Sequence, residues 1–196
     1  MILQAIDRRV GFLPVALAFV AAFGSAAAMR RWALPRMEAL TENKTYHYKD
    51  CEAPCLFDAR PRGYSFDEAK AYLDALGPQA RAYYAEWFVP VYDLAWPVTL
   101  FVFGILFCLW MTQPQRRFAV HLRPMWRFAI LIIPVALFAF DISENLSVRS
   151  MLKAYPQQSR GLVEFASFSS QAKWIAAYLA MGLGVALGAI GWLRRS

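Results

Sequence analysis

Charge is scarce in this chain: 18% of its 196 residues are charged, against about 25% in an average soluble domain. Set beside 59% hydrophobic residues and a mean hydropathy of +0.33, that scarcity excludes a disordered chain, a collagen-like fibre and an ordinary soluble enzyme. Three cysteines, Cys51, Cys55 and Cys108, are too few for a disulfide scaffold. The two histidines, His47 and His121, both lie outside the apolar runs. Bis-histidine haem and histidine-held catalytic zinc inside a membrane are thereby disfavoured. The chain also lacks a Walker loop, a dinucleotide fingerprint and a transporter-like internal repeat.

What it has instead is four apolar runs, each near the roughly 20 residues a helix needs to cross the hydrocarbon layer. They cover residues 10–29, 88–110, 128–146 and 174–192, and Trp87, Trp96, Trp110, Trp126, Trp174 and Trp192 lie at or near their ends, as interfacial belts require. The expected fold is an all-α, four-helix transmembrane bundle forming one integral membrane domain over residues 1–196, with an extracytoplasmic helical hairpin between the first two spans. The first run has a basic start and small residues at Ser25-Ala26-Ala27-Ala28, as a signal peptide would. Its length and the following Arg30-Arg31 favour a retained span.

Orientation follows from the bases in short loops. Residues 111–127 carry Arg116, Arg117, Arg123 and Arg127 and no acid, so this loop is expected in the cytoplasm. Four spans then put both termini there, in agreement with Arg8, Arg9, Arg194 and Arg195. Residues 30–87 fall outside, with nine bases matched by nine acids, and so do residues 147–173, with four bases against Glu164. The net charge of +7 is read as this orienting signal rather than as a nucleic-acid surface. Arginine, at 16, outnumbers lysine, at 5, which together with abundant alanine suggests a GC-rich bacterial gene and a bacterial inner membrane.

Within the outer loop, Ser65-Phe66-Asp67-Glu68 matches a capping box. Phe66, Ala69, Tyr72, Leu73 and Leu76 follow at helical spacing, Gly77 supplies a stop and Pro78 a start. A helical hairpin is expected, its first arm on the membrane surface or on the bundle mouth. Upstream, Cys51 and Cys55 would close a small disulfide in an oxidising compartment. His47, Cys51 and Cys55 also form a His-x3-Cys-x3-Cys set that could hold a soft metal, against which Pro54 argues. Free thiols are the third alternative. A quinone-linked thiol oxidase needs two cooperating cysteine pairs, and Cys108 is alone in its span. Asn43-Lys44-Thr45 is a glycosylation sequon only in a host that glycosylates.

Ionisable residues inside spans are costly and therefore candidate functional groups. Asp93 lies five residues into the second span and Asp141 five residues before the end of the third. At 1.5 Å per residue both sit about 7–8 Å below the outer boundary. Glu144 and Asn145 follow Asp141 at i+3 and i+4 on the same helix face, and Lys173 enters the fourth span from the same side, free to snorkel inward or outward. Asp93, Asp141, Glu144, Asn145 and Lys173 thus form the candidate cluster. It is read either as a polar network that pins helices or as a site for a cation, a proton or a lipophilic ligand.

Ala176, Ala180, Gly184 and Gly188 make a ladder of small residues, and Ala18, Ala22 and Ala26 make another. Such ladders let helices approach closely, so spans one and four are expected to touch, or one of them to face another chain. Pro14, Pro90, Pro97 and Pro134 are expected to kink spans and free backbone carbonyls. The pattern Tyr64-Ser65-Phe66-Asp67-Glu68-Ala69, Tyr72-Leu73, Leu76-Gly77, Arg81 and the Asp93 span, with Asp141-x2-Glu144-Asn145, resembles small uncharacterised bacterial four-span membrane proteins over residues 60–180. That resemblance implies no activity. Two functional classes follow. The first is a non-catalytic accessory protein packing in the bilayer against other membrane subunits. The second is a small transporter or outer-leaflet enzyme binding a cation or lipophilic ligand at the acidic cluster. No cofactor and no nucleic-acid partner can be assigned.

Overall fold

The computed structural model describes residues 10–44, 46, 56–114, 120 and 122–193. Cys51, Cys55, His47 and His121 lie outside the described residues, as do Arg8, Arg9, Arg116, Arg117, Arg194 and Arg195 and part of the sequon. Among the described residues the secondary structure is helical throughout, without a strand. Four helices are long and apolar enough to cross a membrane: α1 (Phe12–Leu40), α2 (Phe66–Met111), α3 (Pro124–Ala154) and α4 (Arg160–Leu193).

Each helix outruns its apolar run at the hairpin end. α1 continues past Arg30-Arg31 to Leu40, and its Ala33 and Met37 are fully buried. The segment between spans three and four, expected as a loop over 147–173, is helical except for a short turn around Tyr155–Ser159. Hydropathy marks only what lipid must cover. The helical ladder itself continues wherever a buried face supports it. Val148, Met151, Leu152, Val163 and Ala166 supply that face.

The hairpin forms at the expected residues. Ser65 Oγ accepts from the Glu68 amide at 3.2 Å while Glu68 accepts from the Ser65 amide at 2.8 Å. The helix breaks at Gly77, whose φ of 72° lies where side chains are strained. A Cβ there would also strike the Glu42 side chain. The carbonyls of Ala75 and Leu76, stranded by the break, accept from the amides of Asn43 and Glu42 at 2.9 and 3.3 Å. From Pro78 the helix runs on into the second span. The first arm lies on the bundle mouth: Ala69, Tyr72, Leu73 and Leu76 join Met37, Phe57, Tyr64, Val148, Met151 and Val163 in one core.

Packing follows chain order, with α1 on α2, α2 on α3 and α3 on α4. The Ala18–Ala22 row, both residues buried, seats α1 on α2, and Ser25 and Thr99 share a hydrogen bond of 3.0 Å across that contact. Among the described residues α1 and α4 make no extended contact. Of the second ladder Ala176 is buried, but a Cβ on Gly184 or Gly188 would meet nothing within 4 Å, so at those two positions the ladder is not a tight seam against another helix.

Two prolines in the second span remove a donor, and each loss is repaired by a side chain from α3. Pro97 cannot donate to the Asp93 carbonyl four residues back. Asn145 Nδ2 donates to it at 3.1 Å. Pro90 lies in a π-helical stretch, Tyr84–Asp93, where its missing donor would have served the Ala85 carbonyl five residues back. Arg149 Nε donates to that carbonyl at 3.0 Å. Pro14 lies in the first turn of α1, where no intrahelical donor is lost; the Val10 carbonyl before that helix accepts from Gln113 Nε2 at 2.6 Å.

Candidate functional site

α3 presents Asp141, Glu144, Asn145 and Val148 on one face, as spacings of three, four and seven dictate, and all four are buried. Asn145 is committed to the Asp93 carbonyl, which locks α3 to α2 at the height of the cluster. α4 faces them with Lys173, which turns inward and is 5% exposed. Its Nζ lies 2.5 Å from Glu144 Oε2 and 3.6 Å from Asp141 Oδ1, and it pairs directly with Asp58. Asp58, Asp141 and Glu144 each place a carboxylate oxygen within 4.8 Å of the others. Asp93 is 3% exposed and within electrostatic reach of all four groups. Every residue of the candidate cluster is thus brought to one place.

Asp58 is the member that sequence reasoning missed. It lies in a short 3-10 turn, Phe57–Ala59, inside a loop whose own composition gives no hint that it is buried. Three side chains on one face of α4 hold that loop down. Ser167 Oγ accepts from the Tyr64 amide at 2.8 Å, Ser170 Oγ donates to the Arg60 carbonyl at 3.2 Å and Trp174 Nε1 donates to the Asp58 carbonyl at 3.1 Å. Gly63, at φ 68°, lets the loop approach, because a Cβ there would press on Gln171 Nε2 and Ser167 Oγ at 2.5 Å. The sequence signal for it is the hydroxyl group Ser167, Ser169 and Ser170 just before the apolar run of α4.

Above the cluster lies Arg60, 1% exposed. Its guanidinium sits over the rings of Tyr72 and Phe57 at 4.5 and 4.9 Å and near Tyr64 at 5.7 Å, a cation–π cradle. Burial pushes the Tyr64 phenol above its ordinary 10.0, helped by Glu144 and opposed by Arg60 and Lys173. At the periphery Arg149 and Lys153 share Glu86 at 3.6 and 3.1 Å. That pair is exposed and contributes little.

Below the cluster, α2, α3 and α4, with Phe23 of α1, line a half-open cavity of about 560 Å³. Its walls are apolar, including Trp96, Phe101, Phe107, Leu137, Phe138 and Met181. At one end the lining becomes Asp58, Asp141 and Lys173. Ala180 and Gly184 of the small-residue ladder, with Cys108, also line it. What the ladder does inside this chain is make room.

Compared with family models, curated proteins and solved structures, the chain has no match.

Proposed function

We propose that this multi-pass membrane protein binds a lipophilic ligand between its spans, the apolar body in the cavity and a polar head against Asp141, Asp58 and Lys173. The observation that carries this reading is the continuity of a 560 Å³ apolar cavity with a buried charged cluster. The volume falls within the roughly 300–1,000 Å³ of small-molecule sites, which pair apolar walls with a few placed polar groups. Purely structural ion pairs need no cavity beside them. Of the two sequence-based classes, the ligand-handling one, a small transporter or outer-leaflet enzyme, is therefore favoured.

The test is lipid extraction and mass spectrometry of the protein purified gently from its membrane, beside Gly184→Trp and Ala180→Trp variants that fill the cavity. Wild type is expected to carry about one lipophilic molecule per chain and the variants none. Equal lipid content in all three would end this reading. The accessory class draws on Gly188, exposed and without a neighbour. Stoichiometric partners retained after mild extraction would favour that class. Arg123 and Arg127 at the end opposite the hairpin support a cytoplasmic face there, with both termini on it and the hairpin outside a bacterial inner membrane.

A further inference from the structure

We infer that the head group taken by this site is cationic, so that the ligand is a lipophilic amine rather than an anionic or neutral lipid; this rests on the cavity reading above. Charge counting comes first. Asp58, Asp93, Asp141 and Glu144 are four carboxylates, and Lys173 and Arg60 are the cations set among them. Among the described residues the group carries a formal surplus of two negative charges, with Asp93, Asp141 and Glu144 buried and Asp58 partly so. A cationic ligand reduces that surplus and an anionic one increases it.

Donor counting points the same way. An ammonium has three protons and no acceptor, and Lys173 faces three carboxylates. An anionic head would have to compete with these carboxylates for its protons. Of its three partners Asp141 is the most distant, at 3.6 Å, and Asp141 lines the cavity while Glu144 does not. The carboxylate least tied to the lysine is thus presented to the ligand. Asp93 is not part of the cavity lining, but its Oδ2 is fully buried, accepts no hydrogen bond among the described residues and lies within electrostatic reach of Asp141, so this carboxyl adds to the preference for a cation there.

The experiment uses the full chain in phosphatidylcholine nanodiscs and radiolabelled dodecylamine, dodecanol and laurate, which share one chain length and differ in the head. Binding is counted as the saturable part lost in Gly184→Trp. Dodecylamine is expected to bind at least about tenfold more tightly than either other probe, the scale of one charged hydrogen bond. Asp141→Asn should remove most of that advantage, weakening dodecylamine far more than dodecanol. Asp58→Asn, at the other carboxylate of the cavity lining, gives a second reading of the same advantage should Asp141→Asn fold poorly. Dodecanol binding as tightly as the amine, or laurate binding more tightly, overturns the head-group inference and leaves the cavity reading standing. No binding sensitive to Gly184→Trp for any probe removes both.

Discussion

At the hairpin end, Met37, Phe57, Leu73, Leu76, Tyr84, Phe88 and Met151 are fully buried, together with Arg60 and Glu144. In the opposite half, Leu13, Leu17, Ile132, Met181 and Val185 are each more than half exposed, and Gly182, Gly184 and Gly188 have open space where a side chain would go. The most apolar stretches of the chain are therefore the least buried by protein, because lipid covers them as well as another helix would. The densest core is built from segments of average polarity beyond the spans, where burial removes apolar surface from water. Charges are embedded in the tight half, and the cavity opens in the loose half. A ligand held between them meets a rigid polar end and adaptable apolar walls.

The contrast can be broken most directly at Lys173. Lys173→Met leaves Asp58, Asp141 and Glu144 without their ammonium and should cost about 3–5 kcal/mol, read as loss of the folded, monodisperse protein on denaturant titration in detergent. Met181→Ala, in the loose half, should stay within about 0.5 kcal/mol. Next comes Asn145→Leu, which strands the Asp93 carbonyl and should cost about 1–3 kcal/mol. Adding Pro97→Ala restores a helical donor and should recover most of that loss. A double mutant no more stable than Asn145→Leu alone would mean that the amide serves something other than this carbonyl.

The glycines sharpen the same comparison at smaller scale. Gly63→Ala and Gly77→Ala force positive-φ residues to carry a side chain and should each cost about 1–2 kcal/mol. Gly182→Ala and Gly188→Ala should be neutral or stabilising by up to about 1 kcal/mol, the helix-propensity gain, in thermal melts. The smallest effect is at Tyr64. Its phenol is held above 10.0 in the fold by burial, so the folded state keeps a proton that the unfolded chain releases. Its contribution is complete below pH 10 and declines as pH rises beyond it. Tyr64→Phe should flatten the alkaline limb of a stability profile and leave neutral pH nearly unchanged.

Reading the chain locally reached the capping box at Ser65–Glu68, the break at Gly77 and the shared face of Asp141, Glu144 and Asn145. These are properties of helix period and backbone freedom, and nearest neighbours carry them. The same reading located the prolines but not the groups that answer them, because Asn145 lies 52 residues from Asp93 and Arg149 lies 64 from Ala85. It treated residues 147–173 as a loop because hydropathy cannot distinguish a solvated helix from a coil. It assigned the second small-residue ladder to helix packing because a sequence shows the spacing of small residues but not what stands opposite them.

Four helices long and apolar enough to cross a membrane, the hairpin and the common level of Asp93 and Asp141 along the bundle were legible in the chain itself, since helical rise converts residue counts directly into positions. Asp58 joining Lys173 across 115 residues, Arg60 entering an aromatic cradle and the cavity ending on carboxylates were decided only by tertiary structure. Those features depend on which surfaces meet, and a loop of ordinary polarity becomes a site only when a distant helix holds it in place.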